Sequence, residues 1–291
     1  MPELNFWNND AEIQFFNDAL QSFSTPEQLF YNLANGFFAY VPKGSDAEGQ
    51  TLQSRNSLIG HFTEKWCRDF LSPLATEMGL FAVNGVECEE LGLTKKSRAD
   101  LAFCTTESNT QIASNIKVIF EIKMSVVSNY QYARRTNVVS FLGDYKSHQG
   151  NPALLRSDSM LKAIGKSINI RVSGLSSTKI PIVILGNSPI TVSYSHKVDF
   201  LKKAGVIQGF LSLNPRPTEG NDFIVSTTGL GFQTISDITV LKTIIRQLVN
   251  TNMNYFSSML PKNELGNIIS IAAQERTDIA KAEKFLLLIR A

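Results

Sequence analysis

Asp100, Glu121 and Lys123 are ionisable residues whose types and spacing suit metal-dependent hydrolysis of a phosphodiester. Glu121 and Lys123 are two apart in the run VIFEIKMS, so a strand would place both side chains on one face. Phe120 and Ile122 would then point to the opposite face, toward a core. A solvent-facing row of ion pairs is the alternative explanation for this pattern.

Phosphodiester cleavage uses these residue types for physical reasons. The reaction requires that negative charge on the phosphate be neutralised and that a hydroxide be supplied. Two carboxylates can hold Mg²⁺, a hard ion that prefers oxygen ligands, and the ion lowers the pKa of a bound water. An ammonium nearby can orient that water or contact the scissile phosphate.

The Glu-x-Lys triplet is uninformative by itself, because a chain of this composition contains such triplets by chance. A second triplet of this kind, Asp144-Tyr-Lys146, lies in a polar stretch. Glu121 instead lies in a predicted strand rich in β-branched residues, and Asp100 lies in another predicted strand upstream. The gap between them is long enough to return a neighbouring strand alongside the first. The placement on strands therefore carries the prediction.

Hydrophobic periodicity predicts an α/β fold with a mixed central sheet flanked by helices, and with helical N- and C-terminal additions. Helices are expected over 10–23, 26–35, 53–71, 158–170, 194–204, 236–253 and 261–289. Pro73 is expected to end the helix over 53–71. Strands are expected over 80–91, 98–104, 116–124, 179–186 and 206–213, and a long polar loop over 125–156. Leu161, Ile164 and Ile168 are expected to form the core-facing stripe of the helix over 158–170.

Charge is distributed unevenly along the chain. The formal net charge is +2, but residues 117–203 hold 13 basic and 4 acidic side chains. This excess indicates either a patch that binds a polyanion or a solvated basic face. The three cysteines are widely spaced, which argues against a disulfide framework and against a zinc site. Because the sequence shows no secretory signal and no apolar run long enough to span a bilayer, we expect a cytoplasmic protein without a membrane partner.

The order of these elements and the positions of the acids resemble the PD-(D/E)XK nuclease superfamily, which contains most type II restriction endonucleases. The resemblance covers residues 55–190, with Asp100 on the second strand and Glu121 and Lys123 on the third. Ala99 stands where the family pattern has Pro. The resemblance implies a restriction-endonuclease-like core over 51–215, an N-terminal helical extension over 1–50 and a C-terminal helical region over 216–291.

The resemblance also implies Mg²⁺-dependent, sequence-specific cleavage of double-stranded DNA, as in a type II restriction endonuclease. Asp100, Glu121 and the backbone carbonyl of Ile122 would bind the metal, and Lys123 would position the water or the phosphate. Glu64, on the preceding helix, would add a further acid or be an ordinary exposed glutamate. Three acids cluster on the first strand: Glu87, Glu89 and Glu90. At least one of them would support the metal or orient Lys123, or the three would form a solvated edge. The implied partners are a second copy of the chain, forming a homodimer, and a DNA methyltransferase that acts on the same site.

The segment 125–157 is expected to be an insertion that contacts DNA beside the site, because Arg pairs with guanine edges and Asn or Gln with adenine edges. The candidate contacts in this segment are Asn129, Gln131, Arg134, Arg135 and Lys146. A solvated insertion is the alternative. On the helix that follows, Lys162 and Lys166 would contact phosphates or would form a face that favours solubility.

Three other functions fit the sequence. A junction resolvase, or another repair nuclease on the same core, would act on branched DNA. A DNA-binding protein with a degenerate core would bind without cleaving, although all three core residues are present. An unrelated α/β interaction domain is the third possibility. No Gly-rich phosphate loop, nucleophile elbow or zinc spacing indicates another class of enzyme.

Overall fold

The structure is a computed structural model that describes residues 5–22, 24–47, 49, 52–251 and 260–290. Its helices are α1 (Asn9–Ser22), α2 (Pro26–Leu29), α3 (Gln53–Glu77), α4 (Ser157–Val172), α5 (Val192–Lys203), α6 (Ile238–Asn250), α7 (Lys262–Ala272) and α8 (Asp278–Ile289). Its strands are β1 (Tyr31–Leu33), β2 (Gly36–Phe38), β3 (Phe81–Val86), β4 (Ala99–Cys104), β5 (Ile116–Lys123), β6 (Asn129–Ala133), β7 (Val138–Gly143), β8 (Ile182–Gly186), β9 (Gly209–Ser212) and β10 (Phe232–Thr234).

Six strands form a mixed central sheet in the order β10-β9-β8-β5-β4-β3. The pairs among β3, β4 and β5 are antiparallel, whereas β5, β8, β9 and β10 run parallel. Parallel neighbours require a crossover, which α4 supplies between β5 and β8 and α5 supplies between β8 and β9. The predicted α/β fold with a mixed sheet flanked by helices is therefore confirmed.

Both faces of the central sheet are covered, so its strands alternate between two cores. On β4, Leu101 and Phe103 belong to the hydrophobic cluster shared with α1, α3 and α6, while Ala102 and Cys104 belong to the cluster shared with α4 and α5. Burial on both faces explains why β8 appears in the sequence as a continuous apolar run. The three cysteines are buried and free, as their spacing predicts.

A second, four-stranded antiparallel sheet was not predicted. Its order is β1-β2-β6-β7, so it joins the N-terminal segment to the segment expected to be a loop. The helix expected over 26–35 begins at Pro26 as predicted but ends at Leu29. The N-terminal extension over 1–50 is helical in α1 and α2 but also contains β1 and β2. The prediction of a polar loop over 125–156 is wrong, because β6 and β7 lie there. The strands escaped prediction because β1 and β2 have only three residues each, and β6 and β7 bury only part of their length.

Three further boundaries differ from the prediction. Helix α3 continues past Pro73 to Glu77, because Leu71 and Leu74 on either side of the proline are buried and packing offsets the lost backbone hydrogen bond. Strand β10 adds to the central sheet, so the sheet extends beyond residue 215 and the region 216–291 is not purely helical. The helix expected over 261–289 is two helices, α7 and α8.

No helix among the described residues is both long and apolar enough to cross a membrane.

Candidate active site

The candidate site lies where β4 and β5 separate. The two strands pair in register up to Leu101 and Phe120. One residue further, the carboxylate of Asp100 lies between the strand ends, and its Oδ2 accepts a hydrogen bond of 2.8 Å from the backbone N–H of Ile122. On the other side of β4, the pairing with β3 skips Gly85, whose φ of 63° is in the left-handed region that favours glycine. At this end of the sheet, the side chain of Asp100 thus takes the place of a backbone acceptor between β4 and β5.

Two carboxylates and two ammonium groups meet at this point. Lys123 Nζ lies 2.5 Å from Glu121 Oε1 and 3.9 Å from Asp100 Oδ2. Lys166 Nζ, from α4, lies 2.9 Å from Asp100 Oδ1 and 2.5 Å from Glu121 Oε2. The structure therefore brings together the three residues that the sequence placed in a site, and adds a second lysine to them.

Lys166 was expected to lie on a solvent-facing surface of α4, as a phosphate contact or as part of a solubility face, and that position is wrong. Its side chain is only 19% exposed and points to the sheet. The predicted apolar stripe of α4 is also wrong, because Leu161 and Ile168 are 62% and 44% exposed. The buried positions of the helix are Met160, Ala163, Ser167 and Ile170. Lys166 follows Ala163 by three positions and precedes Ile170 by four, a spacing that would have indicated the inward face.

Burial and ion pairing act in opposite directions on the pKa values of the cluster. The side chain of Glu121 is 5% exposed, and burial raises its pKa; Asp100 raises it further, while both lysines lower it. Burial lowers the pKa of Lys166, but the attraction of Asp100 and Glu121 outweighs it and the net direction is upward. Lys166 is thus held as a cation beside the carboxylates.

Glu64 faces the same cluster from α3. Burial raises the pKa of Glu64, and the charge of Asp100 raises it further, so the two carboxyl groups interact. A residue that the sequence did not indicate, Asn84 on β3, fixes this arrangement. Its Nδ2 donates hydrogen bonds of 3.0 Å to the backbone carbonyls of both Glu64 and Asp100. Asn84 therefore ties α3 to the strand that carries Asp100.

The donor set fits a hard cation with few protein ligands. Among the described residues, no three His, Cys, Asp or Glu side chains are arranged as a metal-binding group, so Glu64 does not complete a set of three acids. The oxygen atoms that could bind a cation are those of Asp100, Glu121 and the carbonyl of Ile122, which accepts a hydrogen bond from Lys123 Nζ at 3.2 Å. Glu121 Oε2 is buried and lies close to the ammonium of Lys166, but this contact is not aligned as a hydrogen bond, so the oxygen accepts none. Mg²⁺ suits such a set, because it binds through one or two carboxylates and keeps several waters.

The acids near the first strand serve other contacts. Glu87 forms an ion pair of 2.6 Å with Arg98, and Glu90 accepts a hydrogen bond from the backbone N–H of Ala113. Glu89 is exposed. The structure gives none of the three glutamates a contact with the candidate site.

The expected DNA contacts fall into different environments. Asn129 is 1% exposed and its Oδ1 accepts from the backbone N–H groups of Tyr40 and Tyr130, so it is a structural residue and the prediction of a DNA contact is wrong. Gln131 is half-buried on β6. The other four are on the surface: Arg134 and Arg135 in the β6–β7 turn, Lys146 paired with Asp222, and Lys162 paired with Asp158.

A cleft of about 600 Å³ adjoins the site and includes Lys123 in its lining. Its walls come from the start of α3, the end of β5, the start of α4 and the second sheet. Four of its lining residues are basic and one is acidic: Arg55, Lys123, Arg156, Lys162 and Asp158. Arg55 is buried, donates to the carbonyls of Leu29 and Ala39, and contributes positive potential from below the surface. The cleft therefore favours an anionic ligand.

A comparison of the chain with family models, with curated proteins and with solved structures finds no match.

Proposed function

We propose that this chain is a Mg²⁺-dependent endonuclease that cleaves double-stranded DNA at specific sequences, as type II restriction endonucleases do. One observation carries the proposal. At the point where β4 and β5 separate, Asp100 and Glu121 lie within 3.9 Å of lysine ammonium groups, beside a basic cleft. Carboxylates that could bind a cation and ammonium groups that could contact a phosphate are the residue types that phosphodiester cleavage uses.

The chain's own residues have separable roles in this proposal. Asp100 and Glu121 hold the cation, with the carbonyl of Ile122 as a further ligand. When bound, Mg²⁺ supplies charge neutralisation at the phosphate and lowers the pKa of a water. Lys123, fixed by Glu121, orients the attacking water or the scissile phosphate. The bond from the N–H of Ile122 to Asp100 keeps both strand ends in position, which limits reorganisation during the reaction.

Recognition of DNA is proposed for the β6–β7 turn and for basic residues of the cleft. Arg134 and Arg135 project from the β6–β7 turn of the second sheet. Lys162 and Arg156, at the start of α4, line the cleft itself. Arginine in the turn would read base edges, while the cleft residues would bind phosphates and position the duplex. We further propose a cytoplasmic homodimer acting on near-palindromic sites, because two-fold symmetry of the protein matches two-fold symmetry of such a site.

Incubation of the protein with plasmid or phage DNA and Mg²⁺ tests the proposal. We expect discrete fragments that disappear with EDTA and with the variants Asp100→Ala and Lys123→Ala. Lys117→Ala is the matched control, because Lys117 is also on β5 but its ammonium donates to the carbonyl of Ser114. Undiminished cutting by Asp100→Ala would remove this site from the reaction. Cleavage restricted to branched DNA would replace the proposed substrate with a junction, and binding without cleavage would indicate a non-catalytic protein.

A further inference from the structure

Lys166 holds an unusual position for a surface-type residue. Its ammonium lies between the two acids, 2.9 Å from Asp100 Oδ1 and 2.5 Å from Glu121 Oε2. These are different oxygens from those nearest to Lys123, which pairs with Glu121 Oε1 and Asp100 Oδ2. Each lysine therefore bridges both carboxylates, and each uses its own pair of oxygens.

We propose that Lys166 competes with the divalent cation for Asp100 and Glu121, and so sets the affinity of the site for metal. This inference rests on the proposed function, since it assumes that the two acids bind Mg²⁺. The ammonium contacts one oxygen of each acid, which are the atoms that a cation shared by both acids would need. Two cations cannot occupy that space together, so metal binding requires Lys166 to give up these contacts.

The surroundings of Lys166 make its displacement feasible. The residue lies on α4, which is a different element from either acid, and it reaches the site on a flexible four-carbon stem. Its neighbour Gly165 has no atom within 4 Å of the position that a Cβ would take, so the helix surface beside it is open. Lys123, by contrast, is two residues from Glu121 on the same strand and remains beside the acids. Lys166 is thus the cation that can leave, while Lys123 stays as a phosphate- or water-positioning group.

The same geometry gives Lys166 a second effect on the metal-free protein. The ammonium of Lys166 lies within 2.9 Å of an oxygen of each carboxylate, so Asp100 and Glu121 are close enough to repel each other. A cation between them holds the two carboxylates together in the arrangement that a metal would find. Lys166 therefore positions the ligands and weakens metal binding at once.

Isothermal titration calorimetry of Mn²⁺ into the metal-free full chain at pH 8 tests the inference without measuring activity. Lys166→Met should bind Mn²⁺ about 10-fold more tightly or better, since one opposite charge within about 4 Å of a carboxylate shifts its equilibria by at least that factor. Lys166→Arg keeps the cation and should stay near the wild-type affinity. Lys162→Met is the matched control one turn away, because Lys162 is 71% exposed and pairs with Asp158. Lys166→Gln provides a second neutral variant should Lys166→Met fail to fold.

Two outcomes separate this inference from the proposed function. Wild-type protein that takes up no Mn²⁺, or Asp100→Asn protein that binds it as the wild type does, would overturn the metal site and with it the proposed function. The competition alone would be overturned by a different result. In that result the wild type binds Mn²⁺, Asp100→Asn abolishes the binding, and Lys166→Met and Lys166→Gln bind Mn²⁺ as tightly as the wild type or more weakly.

Discussion

Glu12, on α1, is a buried acid that holds the backbone leaving the candidate site. It is 1% exposed. Its Oε1 accepts hydrogen bonds from Trp7 Nε1 at 2.9 Å and from the N–H of Val127 at 2.8 Å, and its Oε2 accepts from the N–H of Ser128 at 3.1 Å. Val127 and Ser128 follow strand β5 within a few residues, so Glu12 links the N-terminal helix to the segment that carries Glu121 and Lys123. Its charge state should therefore affect the stability of the whole core.

Burial raises the pKa of Glu12 from 4.5 to about 7, in spite of the hydrogen bonds that lower it. Because the pKa of the folded state exceeds that of the unfolded state, the folded chain binds more protons between these values. The stabilisation from this group is fully present below pH 4.5 and is lost as the pH rises to about 7. A difference of that size corresponds to about 3 kcal/mol of unfolding free energy, at about 1.4 kcal/mol per pKa unit.

Glu12→Gln isolates this contribution, because glutamine does not titrate. We expect the unfolding free energy of the wild type minus that of Glu12→Gln to fall by about 3 kcal/mol between pH 4.5 and pH 7, and to stay constant above pH 7. Urea denaturation at half-unit steps of pH measures this difference. The matched control is Asp18→Asn, which removes an exposed acid from the same helix and leaves the contacts of Glu12 in place. A difference that rises with pH would show that the hydrogen bonds outweigh burial, and the reasoning would be refuted.

Two further predictions concern packing and recognition. Gly186→Ala should destabilise the protein by about 1–3 kcal/mol in thermal unfolding and should displace a turn that lines the cleft, because the added Cβ would collide with the buried side chain of Leu154. The control is Gly165→Ala, in open space on α4, which should leave stability unchanged or raise it slightly. Equal effects of the two substitutions would contradict the steric argument. Replacing both Arg134 and Arg135 with Ala should weaken DNA binding in fluorescence anisotropy and reduce its dependence on salt, without changing Mn²⁺ affinity; unchanged DNA affinity would exclude the β6–β7 turn from recognition.

Much of the central sheet could be predicted because its strands carry strong local signals. β5 alternates between two faces and β8 is continuously apolar, and both were placed within a few residues of their observed bounds. Asp100, Glu121 and Lys123 could also be predicted to meet, because adjacent antiparallel strands must bring neighbouring positions together. These predictions depend on short-range pattern and on the pairing of strands that follow one another closely in the chain.

The second sheet and the role of Lys166 could not be predicted in the same way. Strand β2 pairs with β6, and these strands are separated by most of the N-terminal half of the chain, so no local pattern links them. Lys166 was assigned to the solvent because large apolar residues on α4 indicated another face. The observed buried face is lined instead by Ala163 and Ser167, whose small side chains let the helix approach the sheet. A lysine on such a close-packed face can reach a buried acid. The spacing of large apolar residues does not indicate a helix face that is lined by small residues.

The separation of β4 from β5 connects these observations. A charged side chain in the middle of a sheet with two buried faces would be costly unless it were paired. Asp100 lies one residue beyond the last pair of β4 and β5, where its carboxylate replaces a missing backbone acceptor for Ile122 and still faces two lysines. On the other side of β4, Asn84 of β3 donates to the carbonyls of Asp100 and Glu64. The divergence of the strands thus opens the space for a charged cluster, and the contacts that satisfy the strand ends also fix the carboxylates that we propose bind metal.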